Sequence, residues 1–150
     1  MVKGMKQTEI GMIPEDWEYV NAEVYIDFLT GFPFQSDLFS SSGTKLLRGS
    51  NVKRNFIDWS ENLTKYWNQS DNKLKAFELA EGDIVISMDG SLVGKSFGQI
   101  CSSDLPAFLV QRVARVRGKN ASTNYLKHLY CTEFFTKHCD NNKTASAIPH

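Results

Sequence analysis

The stretch Gly82–Lys95, G-D-I-V-I-S-M-D-G-S-L-V-G-K, constrains the rest of the chain most tightly. It reads as a strand, a tight loop and the start of a second strand. In an extended chain Ile84, Ile86 and Met88 point to one face, and Val85, Ser87 and Asp89 to the other. Gly90 and Gly94 bracket a turn that ordinary residues find strained. Small and polar side chains occupy the tip, with Lys95 just beyond. A backbone open to close approach, beside Ser91 and Lys95, suits contact with a phosphate chain. A plain surface hairpin with a glycine turn explains the same residues without a ligand.

Further strands are expected at residues 45–49, 93–100 and 107–117, beside the one at 83–88. In the second strand Gly94, Ser96 and Gly98 share a bare side that something can approach. Ala107–Arg117, A-F-L-V-Q-R-V-A-R-V-R, is the best strand candidate. Ser122 or Thr123 is placed to cap a helix over 124–138, with Leu126, Leu129, Tyr130 and Phe134 on one face. The expected fold is therefore α+β, a twisted and mostly antiparallel sheet with a helix packed on it. Before that sheet, Gly11 and Pro14 argue against a regular element near the start, and Trp17, Tyr19 and Val24 are expected to anchor that arm to the core.

An apolar content of 41% and an aromatic content of 12% exclude a disordered chain. No apolar run approaches the roughly 20 residues of a membrane span. No charged-then-apolar leader opens the sequence, so a cytoplasmic location is expected. Cys101, Cys131 and Cys139 are odd in number and irregularly spaced, which favours free thiols. The net charge of zero conceals blocks: residues 1–44 carry −5, 45–75 carry +4, 76–104 carry −4 and 105–150 carry +5. If the two basic blocks share a face, the domain has a positive trough under residues 48–54 and 90–95; otherwise they are dispersed and solvated.

Several side chains suit nucleic acid. Arginine reads guanine edges and asparagine adenine edges, each bidentately, while neighbouring lysines hold phosphates. Arg48, Ser50, Asn51, Lys53 and Arg54 form one such group, Ser91 and Lys95 a second, Gln111 and Arg112 a third, and Lys143, Thr144 and Ser146 a fourth. Arg48 has an equal alternative, bracing its own turn through backbone carbonyls. Phe32 and Phe34 can stack on bases, or plug the core. Asp58 with Asp71-x-Lys73 imitates a metal-nuclease triplet only loosely. His128, Cys131, His138 and Cys139 suggest zinc, but on one helix His128 and Cys139 stand about 16 Å apart in rise and cannot close a single tetrahedral site. No motif for S-adenosylmethionine, a flipped adenine or ATP is present, and no catalytic or metal-binding residue is assigned.

Five stretches carry a resemblance to a known family. Thr8–Glu18 is T-E-I-G-M-I-P-E-D-W-E; Gly31–Phe34 fits G-x-P-F; Leu46–Val52 fits L-x-R-G-x-N-(I/V); Leu79–Ser87 fits L-x-x-G-D-(I/V)-(L/V)-(I/V)-S, with V-G-K following at Val93–Lys95; and Val110–Val116 fits the strand V-Q-x-V-x-R-(I/V). Together they resemble the specificity subunits of type I restriction-modification systems. The stretch from Asn141 to His150 is similar to that family's short loop after its helix. The resemblance implies that residues 1–150 form the first target recognition domain of a two-domain subunit. In such a subunit a further strand, a P-P-x-x-E-Q segment and a long helix are expected next, and none follows here. It also implies a division of labour. This chain selects double-stranded DNA, methyltransferase subunits modify adenine, and a motor-nuclease subunit cuts. S-adenosylmethionine, ATP and magnesium then sit on those partners, and no cofactor on this chain. A truncated fragment that serves as a protein-interaction or inhibitory module is the alternative.

Overall fold

Ile84–Ser87 is a strand buried at all four positions, and the other elements are laid out on either side of it. The computed structural model describes residues 4–89 and 93–142. In chain order the strands are β1 (Met5–Thr8), β2 (Gly11–Pro14), β3 (Ile26–Thr30), β4 (Thr44–Leu47), β5 (Tyr66–Trp67), β6 (Ile84–Ser87), β7 (Phe97–Gln99), β8 (Ala107–Leu109) and β9 (Val113–Gly118). Two helices follow, α1 (Thr123–Tyr130) and α2 (Glu133–Asn142). The described strands make three sheets: the hairpin β1-β2, a four-stranded antiparallel sheet β3-β9-β6-β7, and a three-stranded sheet β5-β4-β8. The architecture is α+β and mostly antiparallel; β4 with β8 is a parallel pair.

Complete burial of β6 follows from layering. Ile84 and Ile86 pack with Ile26, Phe97, Val116 and Leu126 under the helices. Val85 points the other way, into a cluster with Leu47, Val52, Leu109 and Val113 between the two larger sheets. A sheet covered on both faces needs apolar residues at both parities, which is why I-V-I replaces a half-polar alternation. On the far side of the small sheet, Phe34, Leu46, Trp67, Leu74 and Phe108 form a third cluster. At the mouth of β6, the Asp83 carboxylate accepts from the Ala80 N–H (2.8 Å) and from Nε (2.6 Å) and Nη2 (2.8 Å) of Arg117 on β9. That hydrogen bond holds the Arg117 guanidinium above its ordinary pKa, against the effect of burial.

Four expectations are corrected. The single strand over 107–117 is two strands in different sheets, because the chain turns at Val110–Arg112, where Arg112 adopts a left-handed φ of 66°. The single helix over 124–138 breaks at Cys131–Thr132, where Thr132 Oγ1 bonds the Leu129 carbonyl (2.7 Å) and competes with the helical ladder. The break shifts the phase, so Phe135 packs inward and Phe134 is exposed. Gly11 and Pro14 do not prevent a regular element: Gly11, at φ 110°, starts a strand after a two-residue turn, and Pro14 closes it opposite Met5. Trp17, Tyr19 and Val24 do not anchor the arm; Trp17 is 60% exposed, and the Tyr19 hydroxyl donates to Glu9 instead. Among the described residues no helix is long and apolar enough to cross a membrane.

Candidate nucleic-acid interface

The link between β8 and β9 is held by the Gly31–Phe34 turn. The Phe32 N–H donates to the Leu109 carbonyl (3.0 Å), the Gln111 N–H to the Phe32 carbonyl (2.9 Å), and the Gly31 N–H to the Val113 carbonyl (3.1 Å). The two backbones approach so closely that a Cβ on Gly31 would lie 2.2 Å from the Val110 carbonyl carbon. Pro33 leads the chain on to Phe34, which is buried edge-on against Phe32 and Trp67. Gripped in this way, the chain turns sharply enough to leave Gln111 and Arg112 exposed at the lip.

Behind that lip lies a hollow of about 490 Å3. Arg48, Ser50, Ser87, Asp89, Gln111 and Arg112 supply its polar groups, and Phe39 and Val110 form apolar wall. The β6–β9 ladder fixes one side. Ser87 pairs with Val113, the Met88 N–H donates to the Arg112 carbonyl (2.9 Å), and Asp89 Oδ1 then meets Arg112 Nη1 at 3.2 Å. The opposite side is the turn after β4, where Gly49 allows the backbone to pass near Ser87 Oγ. Arg48 donates through Nη2 to the Leu63 carbonyl and lies 5.9 Å from the Phe39 ring. Burial pushes its guanidinium below its ordinary pKa.

A second hollow, about 650 Å3, lies where α2 meets the chain between β6 and β7. Arg54, Lys95 and Lys137 line it together with Glu133 and Asp140. The Asn55 N–H donates to the Phe97 carbonyl (2.9 Å), which fixes Arg54 beside β7. Gly94, at φ 71°, lets Thr136 Oγ1 reach its carbonyl (3.1 Å), and a Cβ there would lie 2.6 Å from that of Cys139. The strand expected over 93–100 is corrected to β7 alone, Phe97–Gln99, with Gly94 in the turn before it, and its bare side is met by the protein itself: Cys139 covers Gly94, and Ile57 covers Gly98. Lys95 stays exposed at the rim. The segment after β6 borders both hollows, Asp89 in the first and Gly94–Lys95 in the second.

Arg48, Ser50, Gln111 and Arg112 therefore come together in one place, and Arg54 and Lys95 in another. Lys53 is half-buried in neither, and lies close enough to Asp58 to act on its carboxylate. Ser91, Lys143, Thr144 and Ser146 lie outside the described residues. Asn51 is corrected as a direct reader of bases. It is completely buried, its Oδ1 accepts from the Arg48 N–H (3.1 Å), and its Nδ2 donates to the Asp58 carbonyl (2.9 Å). The expected single cationic trough is also corrected to two hollows of mixed charge, since Asp89 enters the first and Glu133 and Asp140 the second. Phe34 plugs the core. The loose nuclease triplet dissolves into local caps: Asp58 accepts from the Ser60 N–H and Asp71 from the Lys73 N–H. Among the described residues no group of three or more His, Cys, Asp or Glu is placed to hold a metal ion. Two lining residues do not stand out from sequence as contacts. Asp89 shares its parity with Ser87, which is a usable signal; Lys137 has none, because the break before α2 sets its direction.

The chain is similar to type I restriction enzyme specificity subunits. It is 31% identical over 142 residues, 92% of its length, to the EcoAI specificity subunit of Escherichia coli. It is 33% identical over 139 residues, 90% of its length, to the MjaVIII specificity subunit of Methanocaldococcus jannaschii. The chain spans 24% and 32% of the lengths of these two specificity subunits. No family model matches it.

Proposed function

We propose that this chain is a target recognition domain of a type I restriction-modification specificity subunit, reading double-stranded DNA in the cytoplasm. The observation that carries this is alignment over nearly the whole chain with two specificity subunits from distant organisms. The geometry offers parts suited to the task. Gln111 and Arg112, on a rigidly gripped turn, have the donor and acceptor sets that read base edges in the major groove. Arg54, Lys95 and Lys137 offer charge to phosphates, and the nearby carboxylates moderate non-specific attraction. Adenine methylation and cleavage would fall to methyltransferase and motor-nuclease subunits, with S-adenosylmethionine, ATP and magnesium bound there. The test is titration of the full chain with duplex DNA across a salt series. Salt-dependent binding with a sequence preference supports the proposal, and absence of both opposes it.

A second role draws on a different feature. Met12, Trp17 and Tyr19 near the start of the chain are exposed apolar side chains, and such side chains favour a protein-docking or inhibitory module. Gel filtration with and without a methyltransferase subunit separates the two: a docking module co-elutes with the subunit whether or not DNA is bound.

A further inference from the structure

Ser87 ends the apolar run of β6 with a hydroxyl. The residue is only 3% exposed, and its main chain is satisfied: the N–H donates to the Ser96 carbonyl (3.0 Å), and Ser87 pairs with Val113 on β9. Its hydroxyl has no hydrogen-bond partner among the described residues and lines the hollow behind the β8–β9 lip. On the facing turn a Cβ at Gly49 would lie 3.3 Å from that oxygen, so the glycine keeps the hydroxyl clear. Arg48 stands beside Gly49. Its guanidinium is half-buried, donates from Nη2 to the Leu63 carbonyl, and pairs with no carboxylate among the described residues. Its Nε is buried without a partner. The other two charged residues of the lining, Arg112 and Asp89, face each other at 3.2 Å, which leaves Arg48 as the excess cation of the described lining. A partly buried cation without a counter-charge and a buried hydroxyl without a partner are each unfavourable in the unliganded protein. Both occur in one hollow.

We infer that this hollow is the seat of one phosphate group of the DNA backbone, held by the Arg48 guanidinium and the Ser87 hydroxyl, with Ser50 at the rim. This rests on the DNA-reading proposal above. A guanidinium and hydroxyl donors match the acceptor oxygens of a phosphate, and the phosphate supplies the counter-charge that Arg48 lacks. Phe39 and Val110 offer an apolar wall to the adjoining deoxyribose. Gln111 belongs to the same hollow, so a phosphate seated here sets where that side chain falls along the duplex. A free phosphate ion has the same oxygens without the sugar, and the experiment separates the two sources.

The test compares wild type, Ser87→Ala and Arg48→Gln, each as the full chain, on duplexes that carry one uncharged methylphosphonate in place of one phosphate. At a single position wild type should lose about tenfold in affinity, and both variants, already lacking part of the contact, less than about threefold. Ser87→Ala should weaken binding to the unmodified duplex while its thermal midpoint stays the same or rises, because an unpartnered hydroxyl has been removed. A merely structural serine would lower binding and midpoint together. That outcome, or equal losses for wild type and variants at every methylphosphonate position, overturns the inference and leaves DNA reading intact. If the losses are equal and inorganic phosphate raises the midpoint of wild type but not of Arg48→Gln, the hollow serves the free ion and the DNA assignment falls. A wild type that binds no duplex removes the recognition proposal itself.

Discussion

Asn51 shows how a residue whose type suits base reading serves folding instead. In L-x-R-G-x-N the asparagine is a staple: its amide ties the Arg48 main chain to Asp58 and closes the base of the loop between them. Asn51→Ala removes both bonds and leaves a buried N–H and carbonyl without their partners, a loss of about 2 kcal/mol. The expected result is a lower urea midpoint, with any DNA preference kept by the molecules that remain folded. Asp58, at the other end of the staple, has its carboxylate held below the ordinary aspartate pKa, first by the Ser60 backbone N–H, then by the Ser60 hydroxyl, with Lys53 adding to it. A depressed folded value means that the contribution is present above the unfolded pKa and is lost as pH falls through the folded one. The stability gap between wild type and Asp58→Ala should therefore be present at neutral pH and close below about pH 4, as chemical denaturation across pH would record.

At the scale of elements, the G-x-P-F turn and the β8–β9 link are one unit. The absence of a side chain at Gly31 is what lets the turn lie on the Val110 backbone. Gly31→Ala forces main chain apart, not a flexible side chain, and should cost about 1–3 kcal/mol. Thermal melting should drop by several degrees, and the lip carrying Gln111 and Arg112 should lose its fixed geometry. This unit also marks what can be read from sequence. The buried β6 strand, the strand character of 107–109 and 113–117 and the helical character of 124–138 are legible, because apolar period and glycine placement are local properties. The break at Arg112 is not. V-Q-R-V continues a strand pattern without interruption, and only the tertiary grip of Gly31–Phe32 makes the left-handed turn favourable. The break at Thr132 is hidden similarly, because a threonine hydroxyl can bond its own helix without any signal in apolar spacing. Among the candidate contacts, residue type cannot tell the exposed Arg54 from the buried Asn51 three positions earlier.

For the molecule as a whole, basic side chains from different parts of the chain gather into two groups. Arg48 and Arg112 meet across one hollow, and Arg54, Lys95 and Lys137 across the other. Carboxylates enter both, so affinity for DNA should be modest in charge terms and specificity should come from oriented groups. That separation of roles is open to a direct check. Binding of the full chain to a duplex pool, followed as log K against log salt, should give a negative slope for wild type. In Arg54→Glu/Lys95→Glu the slope should flatten by about 2, one unit for each phosphate no longer neutralised, with the preferred sequence unchanged. Gln111→Ala should keep the slope and alter the preferred sequence. If wild type shows no salt-dependent binding, or if both variants change slope and preference alike, the chain does not read DNA through these two hollows.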